Sequence, residues 1–283
     1  MQLALAAMLF STGGLAIKAI TLSSWQIASF RSAIAALVLA LVLPEARRNW
    51  RPALVGPAFA YAAMLILFVT ATKLTTAANA IFLQSSAPLY LVILGPLVLK
   101  EPVRRADWMT LVVLGFGMTL FFLGEPVAQA SAPQPLLGNV LAAISGLAWA
   151  LVLLSLRVWG RRDPEGNLGM QVVVAGNLLA SLLCLPMALP VAGSVAVDWV
   201  LLTYLGTVQI GLAYVLMTRG IRRVTALEAS MIILLEPVFN PIWTWAVLGE
   251  QPGWLAILGG CFILGGTLFR FPLRPRRLAA ENR

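Results

Sequence analysis

Long apolar runs broken by short polar punctuation fill the chain. Charges, prolines and turn residues delimit segments near 3–21, 25–43, 53–72, 76–98, 107–124, 138–157, 169–190, 199–218, 225–248 and 254–271. Each approaches the roughly 20 residues a helix needs to cross a bilayer. The pattern predicts an all-α integral membrane protein of ten transmembrane helices joined by short connections. The first run begins at Leu3 without a basic leader or small-residue cleavage site, so it reads as a retained span.

Composition narrows the chemistry. Hydrophobic residues make up 60% of the 283 positions and charged ones 11%, under half the charged share of about 25% in soluble domains. Cys184 and Cys261 sit inside apolar runs, with no disulfide framework or metal spacing. Histidine is absent, which removes the commonest metal ligand and the usual proton shuttle. No metal and no cofactor is expected. An ATP-driven pump needs a phosphate-binding G-x-x-x-x-G-K-[ST] loop, and none is present. No nucleophile–base constellation points to an enzyme.

The net charge of +9 is explained by where the basic residues fall. Arg47, Arg48 and Arg51 follow span two; Lys100, Arg104 and Arg105 follow span four. Arg157, Arg161 and Arg162 follow span six; Arg219, Arg222 and Arg223 follow span eight; five more arginines close the chain. Thus 17 of the 20 basic residues lie on one side of the predicted bundle, the exceptions being Lys18, Arg31 and Lys73. The positive-inside rule makes that side cytoplasmic and puts both termini there. The basic balance is then a topology signal beside anionic headgroups, and no nucleic-acid partner is expected.

The chain also repeats itself. Residues 76–122 align without gaps on 225–271 at an offset of 149, with ten of 47 positions identical. The matches include Thr76/Thr225, Ala77/Ala226, Pro88/Pro237, Glu101/Glu250 and Gly117/Gly266. A five-span repeat has an odd number of crossings, so the second half must be inverted. The loops agree: residues 100–105 are basic, whereas Gly249–Gly253 carries no positive charge. The expected organisation is a first repeat over 1–124, an external connection over 125–137, an inverted repeat over 138–271 and a cytoplasmic tail over 272–283. Inverted repeats are typical of transporters that alternate access about a midplane site.

Leu-Lys-Glu at 99–101 and Leu-Gly-Glu at 248–250 each end a Pro-containing span and precede a Gly-rich one. With Thr-Ala-x-x-Ala before each, Ala16-Ile17-Lys18 in span one and Arg31 opening span two, the chain resembles the drug/metabolite transporter superfamily in its ten-helix EamA-type form. Within it, the chain resembles the aromatic amino-acid exporters of the YddG type. The resemblance implies a basket of spans one to four and six to nine around a cavity, with spans five and ten peripheral. It also implies a bacterial inner-membrane exporter of small metabolites, amino acids foremost, aromatic and other neutral ones among them. Drug or nucleotide-sugar transport, and a channel or scaffold, stay open as alternatives.

Interior polar and aromatic positions are the candidate site. Lys18 and Arg31 lie a turn or two inside the external end of their spans, where they either attract a carboxylate or snorkel to the interface. Glu236 lies near the centre of span nine, where an acid is costly. It is read as a proton carrier, a contact for a substrate ammonium, or a cap on carbonyls freed by Pro237. Tyr61, Gln84, Tyr90, Trp149, Asn177, Gln209, Tyr214, Asn240 and Trp243 suit a cavity for a zwitterionic or aromatic metabolite; interhelical hydrogen bonds explain the amides equally well. Pro88 and Pro237 are candidate hinges, or kinks needed for packing. Trp25, Trp108, Trp199 and Trp254 begin spans and read as interface anchors. Gly115, Gly117, Gly259, Gly260, Gly265 and Gly266 suit close helix packing, within a monomer or in a homodimer.

Overall fold

The computed structural model describes residues 1–47, 50–99, 105–123, 130–160, 167–221, 232–233 and 235–270. Glu101, Thr225, Ala226, most of the arginine clusters and the tail over 272–283 lie outside the described residues. Among those described, the regular structure is helical, in the order α1 (Gln2–Ser11), α2 (Gly13–Ala19), α3 (Ser24–Val42), α4 (Val55–Leu74), α5 (Ala77–Gln84), α6 (Ala87–Leu99) and α7 (Arg105–Leu123). Then follow α8 (Pro135–Gly160), α9 (Leu168–Ala188), α10 (Ala196–Tyr204), a π-helical stretch (Leu205–Leu212), α11 (Ala213–Ile221), α12 (Leu235–Leu248) and α13 (Trp254–Arg270).

Seven stretches are long and apolar enough to cross a membrane: Gln2–Ala19, Ser24–Val42, Pro52–Leu74, Ala77–Val98, Pro135–Leu156, Leu168–Ala188 and Ala196–Met217. Trp108–Leu123 and Trp254–Leu268 are shorter apolar helices. The predicted span at 225–248 is described continuously only from Leu235, as α12. The architecture is an all-α membrane bundle.

Three spans that read as continuous in sequence are interrupted, each for a local reason. Span one breaks at Thr12, between α1 and α2. Gly13 and Gly14 are poor helix formers, and Ser11 and Thr12 offer the backbone an alternative. Their hydroxyls donate to the carbonyls of Met8 and Leu9, each at 2.7 Å. Span four breaks at Ser85–Ser86, so Pro88 falls in the first turn of α6, where its missing N–H costs no helical bond. Pro237 lies within α12, and residues 232–233 ahead of it are also helical. Span eight widens into the π-helix, a form that often marks a functional segment.

Packing follows small residues. The predicted peripheral pair, α7 and α13, lies face to face: a Cβ on Gly117 would come within 2.9 Å of the Gly259 carbonyl, and one on Gly259 within 2.6 Å of the Gly117 carbonyl. The main core joins α3, α4, α8 and α9 around Tyr61, Leu39, Val152 and Val172. Gly176 admits the Tyr61 ring, whose carbon lies 2.5 Å from where its Cβ would stand. Trp25, Trp108, Trp199 and Trp254 are exposed, at 37%, 62%, 41% and 71%.

Candidate functional site

The broken first span positions one wall of a partly open cavity. Leu3, Ala6, Ala7 and Phe10 of α1 line it, facing Met64, Leu65 and Phe68 of α4. The π-helix and α11 supply Gln209, Ile210, Tyr214 and Met217; Gln84, Trp149, Arg31, Ile233 and Glu236 complete the lining. The cavity holds about 170 Å³. The α1 residues line its N-terminal side, while Arg31, Phe68, Gln84 and Trp149 reach it from within their spans. Lys18, in the last turn of α2, marks the opposite or far end.

Aromatic rings and two opposite charges give the cavity its chemistry. Phe10 meets Tyr214 edge-on, with ring centroids 5.1 Å apart. Gln84 donates to Ser145 Oγ at 2.8 Å, which fixes its amide at the end of α5. Arg31 is only 2% exposed, and its Nε has no hydrogen-bond partner among the described residues. Such an orphan donor is costly unless something outside the fold satisfies it. Tyr214 lies within electrostatic reach of both Arg31 and Glu236. Neither charged group has an ion-pair partner among the described residues.

The sequence candidates divide between the cavity and its supports. Arg31, Gln84, Trp149, Gln209, Tyr214 and Glu236 line the cavity. Tyr61 lies just behind it, its hydroxyl donating to that of Tyr214 at 2.9 Å. Asn177 donates to the Val173 carbonyl of its own helix at 2.8 Å. Tyr90 donates to the Ala143 carbonyl at 2.9 Å, tying α6 to α8. Asn240 packs against Gly14, where a Cβ would lie 2.3 Å from its Oδ1. Trp243 donates to Ser11 Oγ at 2.9 Å, bracing the break in span one.

Lys18 lies outside the cavity and is ion-paired at the far end. Its ammonium sits 3.1 Å from Glu250 Oε1, donates to the Thr75 carbonyl at 2.6 Å and also donates to the Ser131 carbonyl. The apolar lining from Met64, Leu65, Phe68, Ile210 and Met217 escaped the sequence reading. Apolar residues facing a cavity and facing lipid look alike in one sequence.

Comparison with known proteins bears on the family and the fold. A family model, described as the EamA-like transporter family, matches residues 1–123 and 136–271. The chain is 27% identical over 250 residues to the pseudopaline exporter CntI of Pseudomonas aeruginosa, covering 86% of this chain and 84% of that one. It is 25% identical over 208 residues to the threonine/homoserine exporter RhtA of Salmonella typhimurium, covering 72% and 66%. A solved crystal structure superposes with a TM-score of 0.60 at 21% identity, covering 95% of this chain and 94% of that one, which bears on the fold alone. With its family match spanning nearly the whole helical bundle, this chain belongs to the EamA-like transporter family.

Proposed function

We propose that the protein exports small zwitterionic metabolites, neutral amino acids above all, across a bacterial inner membrane by alternating access. The observation that carries this reading is Arg31, buried on the cavity wall with an unpartnered Nε, in a cavity that also holds Glu236. A guanidinium is suited to a carboxylate, and a carboxylate to an ammonium. One solute with both groups satisfies both residues, whereas an amine or an acid alone leaves one unmatched. Phe10, Phe68, Trp149 and Tyr214 give a neutral side chain apolar and aromatic company. One relative is named as an exporter of pseudopaline and another as an exporter of threonine and homoserine, and those two amino acids are zwitterions of this kind.

The basic connections orient the molecule. With them cytoplasmic, the Leu3 side of the cavity lies toward the cytoplasm and the Lys18 end is external. The breaks before Pro88 and at Thr12 are natural places for the halves to flex between states.

The test is counterflow in proteoliposomes, with neutral amino acids compared against their decarboxylated amines and deaminated acids. Exchange of the zwitterions alone supports the proposal. Preference for lipophilic cations would make it a drug transporter, and preference for nucleotide sugars would replace the amino-acid reading altogether.

A further inference from the structure

At the far end of the bundle a dry ion pair draws four separate segments together. Lys18 comes from α2 and Glu250 from the turn between α12 and α13, with side-chain exposures of 4% and 1%. The ammonium also binds the carbonyls of Thr75 and Ser131. The other carboxylate oxygen of Glu250 accepts the N–H of Ala77 at 2.9 Å, at the start of α5. There it satisfies an orphan donor and meets the positive end of a helix. The pair therefore holds α2, the α4–α5 turn, the segment before α8 and the α12–α13 turn together. None of these residues lines the cavity.

We infer that the Lys18–Glu250 pair is a reversible latch on the far gate, shut in the present conformation and hydrated when the gate opens. This rests on the alternating-access reading, not on any particular substrate. The physical argument turns on desolvation. Two buried charges lose their hydration, and their mutual attraction only roughly repays it. Opening restores hydration to both while giving up the attraction, so the two states stay close in free energy. A purely apolar closure has no such return and would stay shut. Removing one charge strands the other in a dry site, and opening the gate is then its way to water.

These features separate a latch from a structural pair. Glu250→Gln keeps an acceptor for the Ala77 N–H but leaves Lys18 unpaired. Lys18→Met combined with Glu250→Gln removes both charges. Hydrogen–deuterium exchange of the purified full chain without substrate reads the gate directly. In Glu250→Gln, peptides over 74–80 and 245–252 should exchange about tenfold faster, a conservative fraction of the effect of breaking a buried pair. Peptides over 1–10 and 213–221 should slow as the near side closes. The double variant should keep far-end exchange at or below the wild-type rate and lose counterflow.

Faster exchange at both ends in Glu250→Gln, with counterflow restored in the double variant, would make the pair structural and overturn the latch. Unchanged exchange in both variants would overturn it equally. If instead the amino-acid assignment is wrong, wild-type counterflow fails while the exchange pattern stands, so the two failures are distinguishable.

Discussion

Tyr61 and Tyr214 share a hydrogen bond of 2.9 Å between their hydroxyls, one from the packed core and one from the cavity wall. Tyr61 is 1% exposed and seated against Gly176, so the core fixes where the Tyr214 hydroxyl stands. Tyr61→Phe keeps the ring and its packing and removes the hydroxyl that bonds Tyr214 and Asn177. A hydrogen bond of this kind contributes about 0.5–1.5 kcal/mol net to stability, so the melting temperature should fall modestly, and substrate affinity should fall by up to roughly 10-fold as the Tyr214 hydroxyl loses its fixed position. Counterflow KM and a melting curve on the same preparation check both. A large loss of stability with unchanged KM would show that the bond serves packing alone.

Gly14 is a sharper case, because its neighbour leaves no room. A Cβ there would stand 2.3 Å from Asn240 Oδ1 and 2.9 Å from two further atoms of the same amide. Asn240 is 1% exposed, so it has little freedom to swing away. Gly14→Ala should destabilise the protein by about 1–3 kcal/mol through overpacking. Gly115→Ala, where nothing lies within 4 Å, is the matched control and should leave the melting temperature in place. Equal effects at the two sites would refute the packing account.

Membrane orientation makes a prediction that is independent of packing. If the arginine-rich connections face the cytoplasm, cytoplasmic reporters fused after residues 48, 104, 162 and 222 should be active. Periplasmic-type reporters at 131 and 194 should be active as well. The opposite result at any two sites would break both the inverted-repeat reading and the assignment of the Lys18 end to the outside.

What the sequence made legible follows from what each signal depends on. Span number comes from hydropathy alone, which is why helices fill the described parts of the expected segments. Interruptions were written locally too: Gly13-Gly14 after Ser11-Thr12, and Ser85-Ser86 ahead of Pro88. The long apolar run on either side of each masks them in a hydropathy pattern. Pro88 itself stood out, but it starts a helix where a mid-helix kink was expected. The Lys18–Glu250 pair was out of reach, because its partners come from opposite ends of the chain and only tertiary packing joins them. Cavity membership was half legible, since a polar residue inside a span must face something polar. Whether that is a cavity, as for Gln209, or the residue's own helix, as for Asn177, is decided by a rotation of a few tens of degrees.

Arg31 and Glu236 carry the substrate proposal, and together they give it its strictest test. Arg31→Gln removes the guanidinium, and a hydrogen bond to a charged group contributes about 1.5–3 kcal/mol, so affinity for a zwitterion should fall roughly 10- to 100-fold. Competition by the corresponding amine, which has no carboxylate, should be unaffected. Glu236→Gln keeps size and hydrogen-bonding capacity and removes only the charge. If Glu236 holds the substrate ammonium, affinity should drop by a similar factor at every pH. A proton carrier would behave differently: the same variant would flatten the pH dependence or abolish uphill transport while sparing exchange. A carboxyl that merely caps helix carbonyls near Pro237 would leave both transport and its pH dependence alone. Measuring counterflow and gradient-driven uptake at several pH values separates these outcomes in one variant. The zwitterion reading requires the first: a uniform loss of affinity, matched in size by Arg31→Gln and mirrored in selectivity, with the acid lacking an ammonium indifferent to the change at Glu236.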